Sequence, residues 1–286
     1  MSVIQRGAMG RFETSLAIMG SSWEVLKKDK EILIIPVVSG IAMMMLAASF
    51  FIPVFFAHDP TWTQRAMQED RDSFLIMSFV YYFLSYLIII FFNSAIVACA
   101  TVRMNGGDPT LVDGISIALT RIFKIIIWAL ISATVGVILR MIQGRSNFVG
   151  RVLTGFLGMA WSAASYLVIP ILVNENKDPY YAFGDSVKLL KKTWGEGLIG
   201  TFSFGLVFTV MTLPAFFILA AGIYSGNGPL ALTLIGVAVV YLVVLSVFQS
   251  ALQGIFQAAL YQFARFGNVP QGFHQEQLRK ALIRKI

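Results

Sequence analysis

Six long runs of mostly apolar residues constrain this chain more than any other feature. They lie at about 32–57, 74–102, 122–142, 148–173, 198–224 and 229–266. Each meets the roughly 20 residues that an α-helix needs to cross a hydrocarbon core about 30 Å thick. Lipid offers no hydrogen bonds to the backbone, so runs of this length are expected to be helical. Composition agrees: 57% of residues are hydrophobic, 13% are charged and the mean hydropathy is +0.75, whereas about a quarter of a soluble domain is charged. The expectation is an all-α membrane protein, residues 1–286 forming one polytopic domain with six transmembrane helices. The third run carries Lys124 and Arg140 near its ends, where long cationic side chains can bury the stem and keep the head in water. The sixth is too long to lie wholly within the bilayer.

The polar segments repeat a design. In KDPYYAFGDSVKLLKKTWG, Asp178 is a good N-cap and Pro179 suits the first helical position. Phe183, Val187, Leu190 and Trp194 then recur at helical spacing, with Lys188, Lys191 and Lys192 opposite. This predicts an amphipathic helix over 179–194, lying in the headgroup layer. The segment at 109–120 uses the same pattern: Asp108 and Pro109, then Ser116 and Leu119 at the offsets of Ser186 and Leu189. A weaker copy at 270–284 keeps Pro270 but has Gln277 and Lys280 at those offsets. At 11–28, Phe12, Leu16, Met19, Trp23 and Leu26 form another apolar stripe, ending in Lys27 and Lys28. Four interfacial helices therefore punctuate three repeated hairpins, an internal repeat. In the fourth run, Gly155, Gly158, Ala160, Ser162, Ala163, Ala164 and Ser165 offer a small surface for close helix contact.

Charge orients the bundle. Lys and Arg number 5, 3, 4 and 5 in the N-terminal, second, fourth and C-terminal polar segments, and 2, 3 and 0 in the others, or 17 against 5. The positive-inside rule then puts both termini and all the interfacial helices in the cytoplasm. The net charge of +7 is spread over segments flanking the spans and forms no dense arm, so anionic membrane lipid is the expected partner rather than nucleic acid. The first thirty residues mix both charge signs around no isolated apolar core, so no cleaved signal peptide is expected. One cysteine, Cys99, rules out an internal disulfide or a thiolate metal cluster. His58 and His274 fall on opposite sides of the membrane in this topology, so no metal site or dyad is expected from them.

Within the spans, Asn93 is followed by Ser94, and Gln249, Gln253 and Gln257 form a stripe at i, i+4 and i+8. Counting along the helices puts Asn93 and Gln249 near the cytoplasmic boundary. These four are the candidate ligand-binding residues, as a polar cavity for a lipid headgroup or small solute. The competing reading is amide hydrogen bonding between helices. Trp23, Lys27, Lys28, Lys188, Lys191, Lys192 and Trp194 are the candidate lipid-surface residues. Asp108 and Asp178 are read as helix caps. No HExxH, GxSxG, GxxxxGK[ST] or CxxC occurs, nor any pair of ionisable groups deep in the spans. No catalytic residue, cofactor or metal is expected.

Three stretches, RFETSLAIMGSSWEVLKKDKEILIIPVVSGI at 11–41, NGGDPTLVDGISIAL at 105–119 and VIPILVNENKDPYYAFGDSVKLLKKTWGE at 168–196, with ALYQFARFGNVPQGF at 259–273, resemble a family of prokaryotic six-span membrane proteins known only as a domain of unknown function. The layout is also similar to the membrane domain attached to some bacterial glycerophosphodiester phosphodiesterases, although no phosphodiesterase portion occurs in these residues. That likeness implies a membrane setting and no reaction. The expected function is a non-enzymatic protein of the prokaryotic cytoplasmic membrane that organises lipid or a membrane-protein partner, including a second copy of itself. The alternative is a transporter or lipid-translocating permease.

Overall fold

A computed structural model describes residues 19–56, 71–145, 147–194 and 199–274. Helix α1 covers 19–28 and leads through a 3₁₀ turn, Lys30–Leu33, into α2, Ile34–Phe56. There follow α3, Arg71–Met104; α4, Leu111–Thr120; α5, Ile122–Arg145; α6, Phe148–Ala164; α7, Val168–Glu175; α8, Pro179–Trp194; α9, Ile199–Tyr224; and α10, Gly228–Phe266. The described residues contain six segments long and apolar enough to span a membrane, with α6 and α7 together making the fourth. No strand occurs among them. Of the expected interfacial helices 11–28 and 270–284, residues 11–18 and 275–284 lie outside the described residues.

The chain divides into two compact units. The first comprises Met1–Leu33, Cys99–Thr110 and Lys188–Ile286. Its scaffold is the hairpin of α9 and α10. Asn227 starts α10 by accepting a hydrogen bond from the Leu230 amide, 3.2 Å away. Gly222 lies so close to α10 that an added Cβ would come 3.3 Å from the Ala231 carbonyl oxygen. Pro214 removes one ladder bond within α9, and nearby the Tyr241 hydroxyl donates to the Met211 carbonyl at 2.7 Å. Such side-chain bonds make a proline tolerable in a membrane helix. The stretch of α10 from Ala251 to Gln262 is buried almost all round. Residues 270–274 do not begin the helix expected from Pro270. Gly272 sits at φ +91°, the Phe273 amide closes a turn on the Pro270 carbonyl at 3.1 Å, and an added Cβ at Gly272 would strike Val25.

The second unit comprises Ile34–Ala98 and Leu111–Val187. Here α3 meets α2 through Phe50 and Tyr81, ring centroids 5.2 Å apart, and meets α5 where the Tyr86 hydroxyl approaches Gly136 so closely that a Cβ would sit 2.9 Å away. In the fourth span an added Cβ at Gly155 would meet nothing within 4 Å, and one at Gly158 only Leu139, at 3.9 Å. Lys124 and Arg140 of α5 are both partnered. Arg140 stacks 4.8 Å over the Tyr82 ring and donates to its hydroxyl. Lys124 donates to the Asn176 carbonyl and pairs with Asp178 at 3.2 Å.

The fourth span, expected as one helix over 148–173, is broken between Ala164 and Val168. Pro170 is the third residue of α7, and in a continuous helix its ring would collide with the Tyr166 carbonyl. Ser186 of α8 repairs the break. Its fully buried hydroxyl donates to the Ala164 carbonyl at 2.6 Å and accepts from the Leu167 amide at 3.2 Å. Ser116, its counterpart by offset, is exposed, and Leu119 is 52% exposed where Leu189 is buried. The matched offsets therefore occupy unlike environments. Ser186→Ala should lower stability by about 1–3 kcal/mol, because two buried backbone groups lose their partner, whereas Ser116→Ala should stay within about 0.5 kcal/mol. Thermal melts of both variants in detergent check this, and equal losses would restore the equivalence of the two segments.

Candidate functional site

The polar site with the most complete geometry is built around Arg103, in the first unit. Helix α3 has 34 residues, roughly 50 Å of helix, so it is longer than a hydrocarbon core of about 30 Å requires. The helix stops in a Schellman turn: the Gly106 amide bonds the Arg103 carbonyl and the Gly107 amide bonds the Val102 carbonyl, each at 3.0 Å. Gly106 takes φ +89°, and a Cβ on Gly107 would lie 2.6 Å from the Val102 side chain, so this turn requires the Gly-Gly pair. Beyond it, the Cys99 thiol donates to the Thr110 carbonyl at 3.5 Å and holds the returning loop.

The turn presents the Arg103 guanidinium between two carboxylates. Nε donates to Asp29 Oδ2 at 3.3 Å and Nη2 donates to Asp108 Oδ1. The Asp29 side chain is 3% exposed and that of Asp108 is 88% exposed. Burial pushes the Asp29 carboxyl above its ordinary pKa, while the charge and hydrogen bond of Arg103 hold it partly back. Asp108 is thus an ion-pair partner and not a cap, since α4 begins only at Leu111. Lys27, Lys28 and Lys30 complete the rim of a polar cavity of about 340 Å³. Lys27 pairs with Glu24 at 2.6 Å; Lys28 and Lys30 have no hydrogen-bonding or ion-pair partner among the described residues. Sequence reasoning singled out Lys27 and Lys28 but missed Asp29 and Arg103, which are 74 positions apart.

The other expected site residues are divided between the two units. Gln249 is half-buried, Gln253 exposed and Gln257 buried along α10, in the first unit, while the half-buried Asn93 belongs to the second. Asn93 and Gln257 both have partners. Trp23 is 40% exposed and its ring lies 5.6 Å from that of Phe248. Lys188 and Lys191 are exposed on α8; the side chains of Lys192 and Trp194 lie outside the described residues. The buried side of α8 is Ala182, Ser186, Leu189 and Leu190, displaced from the expected stripe. Phe183 joins Trp128 and Trp161 in a three-ring stack, with centroids 5.2 to 6.0 Å apart. At the start of α8, Asp178 occupies the cap position, its carbonyl bonding the Ala182 amide at 2.9 Å, while its carboxylate serves Lys124. Lys177 donates to Asp185 at 2.5 Å and pairs with Glu175 at 2.8 Å. These bonds raise its pKa and hold it protonated.

A family model described as "Family of unknown function (DUF6159)" matches residues 73–272. The chain belongs to that family. In this DUF6159 protein the matched stretch includes Arg103, Asp108 and the whole of α4 to α10, while Lys27, Lys28, Asp29 and Lys30 precede it. A search of curated proteins finds no match. The family description assigns no reaction, so the chemistry available to this DUF6159 protein has to be read from its own residues. Among those described, no group of three or more His, Cys, Asp or Glu converges as metal ligands would. What the Arg103 site offers is anion recognition: a guanidinium fixed by a buried carboxylate, beside two uncommitted ammonium groups.

Proposed function

We propose that this DUF6159 protein is a non-enzymatic, multi-pass protein of the prokaryotic cytoplasmic membrane that engages anionic lipid through basic surfaces next to its spans, and so organises lipid or a membrane partner. The observation that carries this reading is the placement of exposed Lys27, Lys28 and Lys30 directly before the first apolar span, one turn after exposed Trp23. An aromatic ring at headgroup depth followed by cations is the chemistry of an anionic interface, and each basic residue near such a surface contributes about 1 kcal/mol at physiological salt. The 17 to 5 basic asymmetry puts both termini in the cytoplasm.

Mass spectrometry of the protein purified in mild detergent tests this reading. Anionic phospholipid should co-purify in preference to zwitterionic lipid, and reporter fusions after Gly7 and after Ile286 should both report cytoplasm. A stoichiometric small solute in place of lipid would favour the permease alternative. A periplasmic signal from either fusion would overturn the six-span orientation.

A further inference from the structure

We infer that the first unit binds a single anionic phospholipid, its phosphate held by Lys28, Lys30 and Arg103 and an acyl chain held in a cavity beside Trp23. The inference rests on the lipid-engaging reading above and gives it one site. Two of the cavities along residues 19–30 differ sharply in chemistry. The polar one, already described, is bordered by Lys27, Lys28, Lys30 and Arg103. The other, about 410 Å³, is lined by Met19, Trp23, Phe208, Met211, Phe248 and Leu252 among others, with no charged side chain in its wall. Trp23 and Lys27 are one helical turn apart on the same exposed face of α1, so their Cβ atoms are about 6 Å apart. Residues one turn apart on α1 thus border an apolar cavity and a cationic one, and an amphiphile fits that order of chemistry where a free solute fits only half of it.

The charges select the headgroup. Four cations border the polar cavity together with Asp29, Glu31 and Asp108. Asp29 is buried and already spent on Arg103 Nε; Asp108 is 88% exposed and holds only Nη2. A phosphate can take over Nη2 while the Asp108 carboxylate turns into water, leaving Lys28 and Lys30 to complete its coordination. A choline headgroup would bring a fixed positive charge towards the same two lysines, so a net anionic lipid is preferred.

The test uses the full-length protein in neutral detergent, titrated with dioctanoyl phosphatidylglycerol, dioctanoyl phosphatidylcholine and glycerol 3-phosphate, and read by thermal shift. Phosphatidylglycerol should bind at least about tenfold more tightly than either other ligand. Lys28→Gln with Lys30→Gln should weaken it roughly 30-fold, the loss expected for two interfacial cations, and Asp108→Asn should tighten it by removing the competing carboxylate. In cells, a photoreactive benzoylphenylalanine in place of Phe248 should give an adduct of phospholipid mass. Equal binding of the two phospholipids, unchanged in the double variant, would overturn this site while leaving a diffuse lipid surface intact. Glycerol 3-phosphate binding as tightly as phosphatidylglycerol would overturn the acyl-chain part. An adduct to a second copy, or to residues before Met19, would make the cavity a protein contact. No response to any lipid in any arm would sink this site and the broader lipid reading together.

Discussion

Trp128→Ala should destabilise the protein by about 3–5 kcal/mol, the range for removing a fully buried large aromatic. Trp128 is 3% exposed and its ring is the face against which Trp161 of α6 and Phe183 of α8 are stacked, at 5.8 and 6.0 Å. Helix association in lipid gains little from burial as such and depends on packing contacts, so a void at this point removes a main packing contact between the start of α8 and α5 and α6. Phe123, on the same helix, is 78% exposed, and Phe123→Ala should change stability by no more than about 0.5 kcal/mol. Thermal or denaturant melts of the two variants decide the matter. A small loss from Trp128→Ala would mean that α8 is held by Ser186 or by the lipid interface itself, as its sequence alone suggests.

Length and apolarity were enough to read six spans, because a membrane leaves the backbone no alternative to helix once about 20 apolar residues run together. The beginning of α8 was legible because Pro179 sets it locally, whereas the like-placed Pro109 lies two residues before α4 and Pro270 opens a turn. What escaped sequence reading depends on partners far along the chain. Pro170 hinted at a break in the fourth span, but the Ser186 hydroxyl that makes the break tenable is 22 residues beyond Ala164. Hydrophobicity alone favours Phe183 and Val187 on α8, which are half-buried, whereas Ala182 and Ser186 are buried through shape and hydrogen bonding. Equal offsets from Pro109 and Pro179 suggested equivalent helices, yet Ser116 is exposed and Ser186 is not. Of the candidate site, the lysines were visible as a cluster. Their carboxylate neighbour Asp29 looked like one more charge in a polar run, since nothing local reveals that it is buried under Arg103.

Arg103→Leu should cost about 3–5 kcal/mol at neutral pH, the penalty for leaving a buried charge without its partner, whereas Asp29→Asn should leave stability unchanged or raise it. The asymmetry follows from the Asp29 carboxyl, whose pKa is raised by burial despite Arg103. A raised value means that the folded state holds this proton more tightly than the unfolded state, so the folded protein binds more protons within the shifted window. Stability then falls as pH climbs from the ordinary carboxylate value to the raised one, and is flat above it. Asparagine mimics the neutral form at every pH. The stability of Asp29→Asn relative to the parent should therefore grow through that window and stay constant at higher pH. Arg103→Leu should behave in the opposite manner to a simple packing defect: its loss should shrink in acid, where Asp29 takes up a proton, and it should be largely recovered at neutral pH by adding Asp29→Asn. Melts of the parent, both single variants and the double variant from acid to neutral pH form a complete cycle. If the double variant is as unstable as Arg103→Leu at every pH, Arg103 acts through Asp108 or through its own packing, and the buried pair is not what anchors this end of α3.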